Sequence, residues 1–277
     1  MQEQDETYGR LCPLLKLVGE APLPSMQVSA EISDGEASGP GLLSFCSRDS
    51  RAILIPDHSF VCSQGYEHYR QLARANLTEW DARSDRIVWR GTTTGVGIIA
   101  KDQLCAEDAD LILRVRLCLE LKAVAGTDVK ISAVAQSTDA AADKARLAKA
   151  GILGGFIAPI AWYGHRFAID IDGNSNAWSN LFTRLMMGCC VLKIASPLGY
   201  RQWYYHELKP WTHYVPVKAD LSDLKQRTAW CRANLDECRQ IAARGQNFAM
   251  VHSYDTEVAS AVDRLTQAYT DGTLRTD

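Results

Sequence analysis

Residues 167–217 read FAIDIDGNSNAWSNLFTRLMMGCCVLKIASPLGYRQWYYHELKPWTHYVPV, and the order of elements within them decides the fold. Phe167, Ile169 and Ile171 alternate along one side with Asp170 and Asp172 on the other, which predicts a strand. Asp172-Gly173-Asn174-Ser175-Asn176 follows, a run of small and polar residues able to turn sharply and donate hydrogen bonds. Residues 178–187 predict a helix, with Leu181, Leu185 and Gly188 at i, i+4 and i+7 and Phe182 and Met186 beside them. Residues 189–195 are a second apolar strand. Strand, turn, helix, strand is a βαβ unit whose turn lies at the carboxyl end of its first strand. Open α/β sheets bind ligands there, where free N–H groups favour anions. Taken alone, one such turn is better explained as ordinary loop chemistry.

Outward from this unit the pattern repeats. Upstream lie an expected strand at 86–89, a helix at 110–124 with Leu113, Leu117 and Leu121 on one side, and a strand at 129–134. A helix at 138–150 has Asp139 near its start and Gly151 just past its end. Downstream come a strand at 213–217, a long helix or helix pair at 222–243 ended by Arg244-Gly245, and a last helix at 253–269. The beginning of the chain is choppier: short strands at 26–32, 42–46 and 52–55, then helices at 65–75 and 79–84. Residues 11–18 form a brief amphipathic run that PLPS ends. Alternating strands and helices predict mostly parallel sheets with helices on both faces. The division expected is an acceptor-side lobe over 1–85 and a nucleotide-binding lobe over 86–250, with the helix in 251–277 crossing back to the first lobe.

Composition narrows the class. The chain has 277 residues, 47% hydrophobic and 23% charged, with a net charge of −3, so no global field draws it to nucleic acid or anionic lipid. Its nine cysteines show no CxxC spacing. The simplest account is buried reduced thiols in a reducing compartment, with Cys189 and Cys190 pointing to opposite faces of their strand. The polar start MQEQDETYGR does not read as a signal or transit peptide, and no apolar run approaches transmembrane length. The expectation is a cytoplasmic protein that docks peripherally if its acceptor is membrane-bound.

Several motifs, IDGNSNAW, CCVLK, QWYYHEL and KPWTHYVPVKADLSDL, together with IVWRGTTTG and ILIPDHSF upstream, resemble glycosyltransferase family 90 over roughly residues 26 to 250. That family includes protein O-glucosyl- and O-xylosyltransferases and bacterial lipopolysaccharide-modifying transferases, and IDGNSNAW is closer to the bacterial form. The resemblance implies a GT-B-like α/β fold, two Rossmann-like lobes with mostly parallel sheets facing a cleft. It also implies inverting transfer from a UDP-sugar to a hydroxyl of a glycan, lipopolysaccharide or protein, with no cofactor.

The candidate site residues follow from both sources. In WRGTTTG, Arg90 offers a guanidinium fork, Gly91 close backbone approach, and Thr92 and Thr93 hydroxyls, the parts a diphosphate needs. The bland alternative is a polar turn with Arg90 in an ion pair. Relatives carry a basic residue a little further on, whereas this chain has Val96-Gly97-Ile98-Ile99-Ala100 before Lys101. Gly173, Asn174, Ser175, Asn176, Ala177, Trp178 and Ser179 form the turn and the start of the next helix, and could hold phosphate oxygens without a metal. Animal relatives place an Arg here; Arg184, one turn on, is the available substitute. Lys193, Gln202 and Tyr66 complete the donor-binding set that the resemblance implies, with Gln202 toward ribose. Asp170-Ile171-Asp172 is also a DxD, which in another fold binds Mn²⁺; the expectation here is no metal, with Asp172 shaping the Gly173 turn. Inversion needs one carboxylate as base. By pattern Asp34 stands where the family carries it, with Asp57 as the rival and His58 as a base for a different mechanism. A truncated or inactive member that only binds a nucleotide or glycan, and a metal-dependent DxD enzyme, are the alternatives.

Overall fold

The computed structural model describes residues 2–75 and 78–275. Helix α1 (Gln2–Glu20) is followed by strands β1 (Ala30–Glu31), β2 (Leu43–Ser44), β3 (Cys46–Ser47) and β4 (Ile53–Leu54), then helices α2 (His58–Cys62) and α3 (Glu67–Arg74). β1, β2 and β4 make a three-stranded parallel sheet, order β1-β2-β4. The strand expected over 26–32 shrinks to two residues: Met26 and Val28 pack against the core, but ladder pairing starts only at Ala30. The helix expected at 79–84 is a single 3₁₀ turn, Trp80–Ala82, because the next strand already begins at Ser84. Conversely, the brief run at 11–18 is part of a 19-residue helix. Its Leu14 and Leu17 join Phe45, Ile55 and Val61 in the first lobe's core.

The second lobe comprises β5 (Ser84–Thr92), α4 (Leu113–Leu121), β6 (Thr127–Ala133), α5 (Ala140–Lys149), β7 (His165–Asp170), α6 (Asn180–Met186), β8 (Cys190–Ile194), β9 (Arg201–Gln202), β10 (Val215–Val217), α7 (Leu224–Ala233) and α8 (Leu235–Val251). Its five-stranded sheet is parallel throughout, order β10-β8-β7-β5-β6. The chain starts in the interior at β5, steps outward to β6, then crosses to the other side for β7, β8 and β10. The order therefore reverses between β5 and β7, and the crevice at their carboxyl ends is where such a sheet takes a ligand. Strand periodicity sorts the core cleanly. Ile87, Trp89, Phe167, Ile169, Cys190 and Leu192 face one layer, while Val88, Ala168, Cys189 and Val191 face the other, so the two adjacent cysteines do point to opposite faces.

Local chemistry explains the helix ends. Asp139 caps α5 by accepting from the Ala142 N–H, and Gly151 beyond it has φ +73°, the left-handed value that suits glycine. The long helix at 222–243 is a pair, α7 and α8, broken at Asn234. Gly245 does not end it: α8 continues to Val251. Gly245 is small because a Cβ there would stand 2.7 Å from the His213 carbonyl oxygen and 2.8 Å from the Leu185 side chain. Helix α9 (Tyr254–Thr270) then returns to the first lobe, burying Val258, Ala261, Leu265 and Ala268 in that lobe's core. The lobes are also stitched by an antiparallel pair, β3 with β9, matching Cys46 to Gln202. The result is an α/β, GT-B-like arrangement of two parallel-sheet lobes facing a cleft. Among the described residues no helix is long and apolar enough to cross a membrane.

Candidate active site

A cavity of about 330 Å³ opens at the carboxyl ends of β5 and β7. From the second lobe, Gly91, Thr92 and Thr94 line it at the end of β5, and Gly173, Asn174, Asn176, Ala177 and Trp178 at the turn after β7. The first lobe contributes Asp34. Asn174 ties the three segments together: its Oδ1 accepts from the Gly95 N–H at 3.0 Å, and its Nδ2 donates to Asp34 Oδ2 at 3.2 Å. The other Asp34 oxygen accepts from Arg10 Nη1 of α1 at 3.3 Å. The carboxylate keeps 31% of its side-chain surface exposed, enough to be reached from the cleft.

Beside Arg90 the cleft wall carries a second cation, Arg114, which sequence reasoning missed. It is the second residue of α4 and is buried. Its guanidinium donates only to neutral oxygens: Nε to the Asp172 carbonyl at 2.9 Å, Nη1 to the Thr92 carbonyl at 3.2 Å and Thr94 Oγ1 at 2.7 Å, and Nη2 to the Ile171 carbonyl at 3.2 Å. Burial pulls it down to about 10, partly offset by the charges of Asp170 and Asp172, so it stays cationic at neutral pH. A hydroxyl that accepts from Arg114 still has its own proton to donate into the cleft. A signal was available: Arg114 falls three, four and seven residues before Leu117, Cys118 and Leu121, on the buried side of α4. Lys101, the first cation after the glycine-rich loop, is engaged with Asp108 at 2.7 Å and Asp110 at 3.0 Å. Gly173 packs directly under this wall; a Cβ there would lie 2.4 Å from Thr94 Oγ1.

Other sequence candidates are placed differently. Arg90 lines the cleft, but its fork closes on Asp128, Nη2 donating to Oδ1 and Oδ2 at 2.8 and 2.9 Å, while Nε and Nη1 donate to the carbonyls of Gly155, Trp89 and Asp128. Arg90 therefore stands at the cleft with its fork engaged by Asp128, because Asp128 sits on the neighbouring strand β6. Thr93 is buried and pins Ala135 through two hydrogen bonds, its Oγ1 donating to that carbonyl at 2.7 Å and accepting from that N–H at 2.8 Å. Ser175 is buried against Cys46, and Ser179 starts α6 without capping it through its side chain. Trp178 has φ +47°, so it cannot be helical, and α6 begins at Asn180 rather than 178. Its ring lies 5.3 Å from the Arg10 guanidinium carbon.

Four further candidates, Arg184, Lys193, Tyr66 and Gln202, lie away from the cavity's lining. Arg184 stacks over Trp162 at 3.7 Å, at the far end of α6. Lys193 pairs across strands with Asp170 at 3.3 Å, and Asn180 donates to the same carboxylate at 2.9 Å. Half of the DxD is thereby held by a cation and an amide; burial raises the other half, Asp172, to about 6 against the opposing pull of Lys193. Tyr66 is packed among Phe60 and Phe182. Gln202 is buried, its Nε2 donating to Asp57 Oδ2 at 3.4 Å. Asp57, the rival base, is fully buried as the cap of α2, accepting from the Phe60 N–H at 2.9 Å, and burial raises it to about 6. His58 lies edge-on to Trp178, ring centres 5.8 Å apart.

Comparison with known proteins agrees with this frame. The family model described as glycosyl transferase family 90 matches residues 21–273. Human protein O-glucosyltransferase 3 is 26% identical over 254 residues, 85% of this chain and 45% of that protein. Protein 035R of invertebrate iridescent virus 3 is 30% identical over 235 residues, 76% of this chain and 20% of that protein. The chain therefore spans less than half the length of these relatives. The crystal structure of Anabaena HepE in complex with UDP-glucose superposes with a TM-score of 0.42 at 12% identity, covering 76% of this chain and 53% of that one, too loosely to carry fold or ligand. With the family match running from the first strand of the first lobe through the returning helix, the chain belongs to glycosyltransferase family 90.

Proposed function

We propose that the chain moves a sugar from a UDP-sugar to a hydroxyl of a glycan, lipopolysaccharide or protein acceptor, with inversion and without a metal. One observation carries the reading: Asp34 of one lobe meets the Gly173-Asn174 turn of the other across the cleft, through the 3.2 Å Asn174–Asp34 hydrogen bond. The diphosphate lies at the carboxyl ends of β5 and β7, taking backbone N–H groups of the turn, the hydroxyl protons of Thr92 and Thr94, and the charge of Arg114. The acceptor oxygen attacks the anomeric carbon from the Asp34 side, Asp34 takes its proton, and UDP leaves with the electron pair of the broken bond toward Arg114. Metal independence is supported by Asp170, which Lys193 and Asn180 already engage. A cytoplasmic site of action, with peripheral docking to any membrane-bound acceptor, belongs to the same reading.

The test is UDP release from UDP-glucose, with water or an added glycan as acceptor. Asp34→Asn keeps the size and the amide contact to Asn174 but cannot take a proton, so turnover should fall about 10²- to 10⁴-fold while UDP still binds. Near-normal turnover in that variant would remove Asp34 from the role. Activity abolished by EDTA and restored by Mn²⁺ would replace the metal-free reading with the DxD one.

A further inference from the structure

A second cavity, of about 620 Å³, lies at the junction of the lobes, between β4, β9 and the carboxyl-terminal half of α9. None of its lining residues lines the cleft. Its walls carry an unusual set of unmet donors. Trp203 is only 2% exposed, and its indole N–H has no acceptor. On Arg264, Nη1 donates to Ser260 Oγ at 2.7 Å, but Nε and Nη2 are buried with no acceptor. No carboxylate among the described residues forms an ion pair with Arg264. Nε and Nη2 form one edge of the guanidinium, the edge that takes two oxygens of a carboxylate or phosphate side by side. Leaving buried donors unpaired is destabilising, and more so for a charged group, so three together on one cavity mark a missing acceptor. Arg201 adds a second cation to the wall, Asp271 a carboxylate that accepts from Gln267 Nε2 at 2.9 Å, and Ile53, Leu54 and Ala268 supply apolar surface.

We propose that this cavity is a second binding site, for a small molecule bearing a carboxylate or phosphate group, held by the open edge of Arg264 and the Trp203 N–H. It spans both lobes, since β4 and α9 belong to the first and β9 to the second, so its occupant holds them together. The inference rests on residues separate from the proposed active site and stands whether or not that reading does.

The experiment is calorimetric titration of the full chain with glucuronate, glucose 6-phosphate and glucose, with UDP in excess to fill the cleft. A parallel series in Arg114→Met removes the cleft cation that is not ion-paired, so the answer does not depend on UDP binding. Glucuronate or glucose 6-phosphate should bind saturably at millimolar concentration or below; which of them binds assigns the carboxylate or the phosphate. Glucose should not bind. Arg264→Met should weaken the oxyanion at least tenfold, and Trp203→Phe, which keeps the ring and loses the N–H, several-fold, with UDP affinity unchanged in both. If Arg264→Met does not fold, Arg264→Lys keeps the charge and loses the fork, and should also bind at least tenfold more weakly. Neither oxyanion binding the wild type, glucose binding equally well, or undiminished binding in the Arg264 variants would each overturn the proposal.

Discussion

Gly173→Ala is the most incisive perturbation of the cleft, because the structure states what a single methyl group would meet. The added Cβ would stand 2.4 Å from Thr94 Oγ1 and 2.9 Å from Arg114 Nη2, where ordinary contact begins at 3.4 Å. The shortfall to Thr94 is about 1 Å. Thr94 can swing away only by giving up its 2.7 Å hydrogen bond from Arg114, a charge-assisted bond worth about 1.5–3 kcal/mol. Alternatively the turn itself moves, and forcing a methyl into a packed site costs about 1–3 kcal/mol. Either route should lower the midpoint of thermal unfolding by several degrees, at about 2–4 °C per kcal/mol for a chain near this size. It should also weaken UDP about tenfold or more, since 1.4 kcal/mol is a factor of ten. Gly151→Ala is the control: its φ of +73° makes alanine strained, but nothing lies within 4 Å. It should lose about 1–2 kcal/mol of stability and leave UDP affinity alone. Wild-type stability and UDP affinity in Gly173→Ala would refute the packing argument and the placement of the diphosphate beside this turn.

Two further outcomes follow from the charges. Arg114→Met should weaken UDP about tenfold to a hundredfold in calorimetry, whereas Arg90→Ala should lower stability by about 1–3 kcal/mol and leave UDP within a few-fold, because its fork is closed on Asp128. The reverse ranking would restore Arg90 as the donor's cation. Burial raises Asp57 to about 6 from an ordinary 3.8, so the folded chain holds its proton more tightly than the unfolded one. That contribution to stability is fully present below about pH 4 and is lost as pH rises through about 6. Asp57→Asn keeps the cap of α2 without titrating. The stability of the wild type relative to this variant, from urea midpoints, should therefore fall by on the order of 2 kcal/mol between pH 4 and pH 7.

Much of this was legible in the chain. Alternation such as Phe167, Ile169, Ile171 reports burial on one face of a strand, and it placed the second lobe's strands and the turn at Gly173. The first lobe was harder. Its strands are two residues long, and its core is completed by α1 and α9, from opposite ends of the sequence. Local pattern cannot announce such packing. The charges of the cleft were hard to read for a related reason. Arg90 was conspicuous because it stands in a glycine- and threonine-rich loop, yet its partner Asp128 is a strand-neighbour 38 residues away. Arg114 was inconspicuous because it hides in an apolar helix, where its buried spacing with Leu117 and Leu121 was the clue. Asp34 is the favourable case: an Asp-Gly turn after an apolar alternation, carried to the cleft and met there by Asn174.

The return of α9 has a consequence for synthesis on the ribosome. The second lobe is one continuous stretch, β5 through α8, and can close its sheet as soon as Val251 has emerged. The first lobe is translated earlier but waits longer. Val258, Leu265 and Leu274 belong to its core. The backbone of Arg275 bonds to both Ser29 and Gly41, at 3.1 and 3.0 Å. These pairings span nearly the whole sequence, the kind of distant closure that slows folding. The lobe made first is thus the lobe finished last, and until α9 arrives the core that it completes with α1 and β4 stays open.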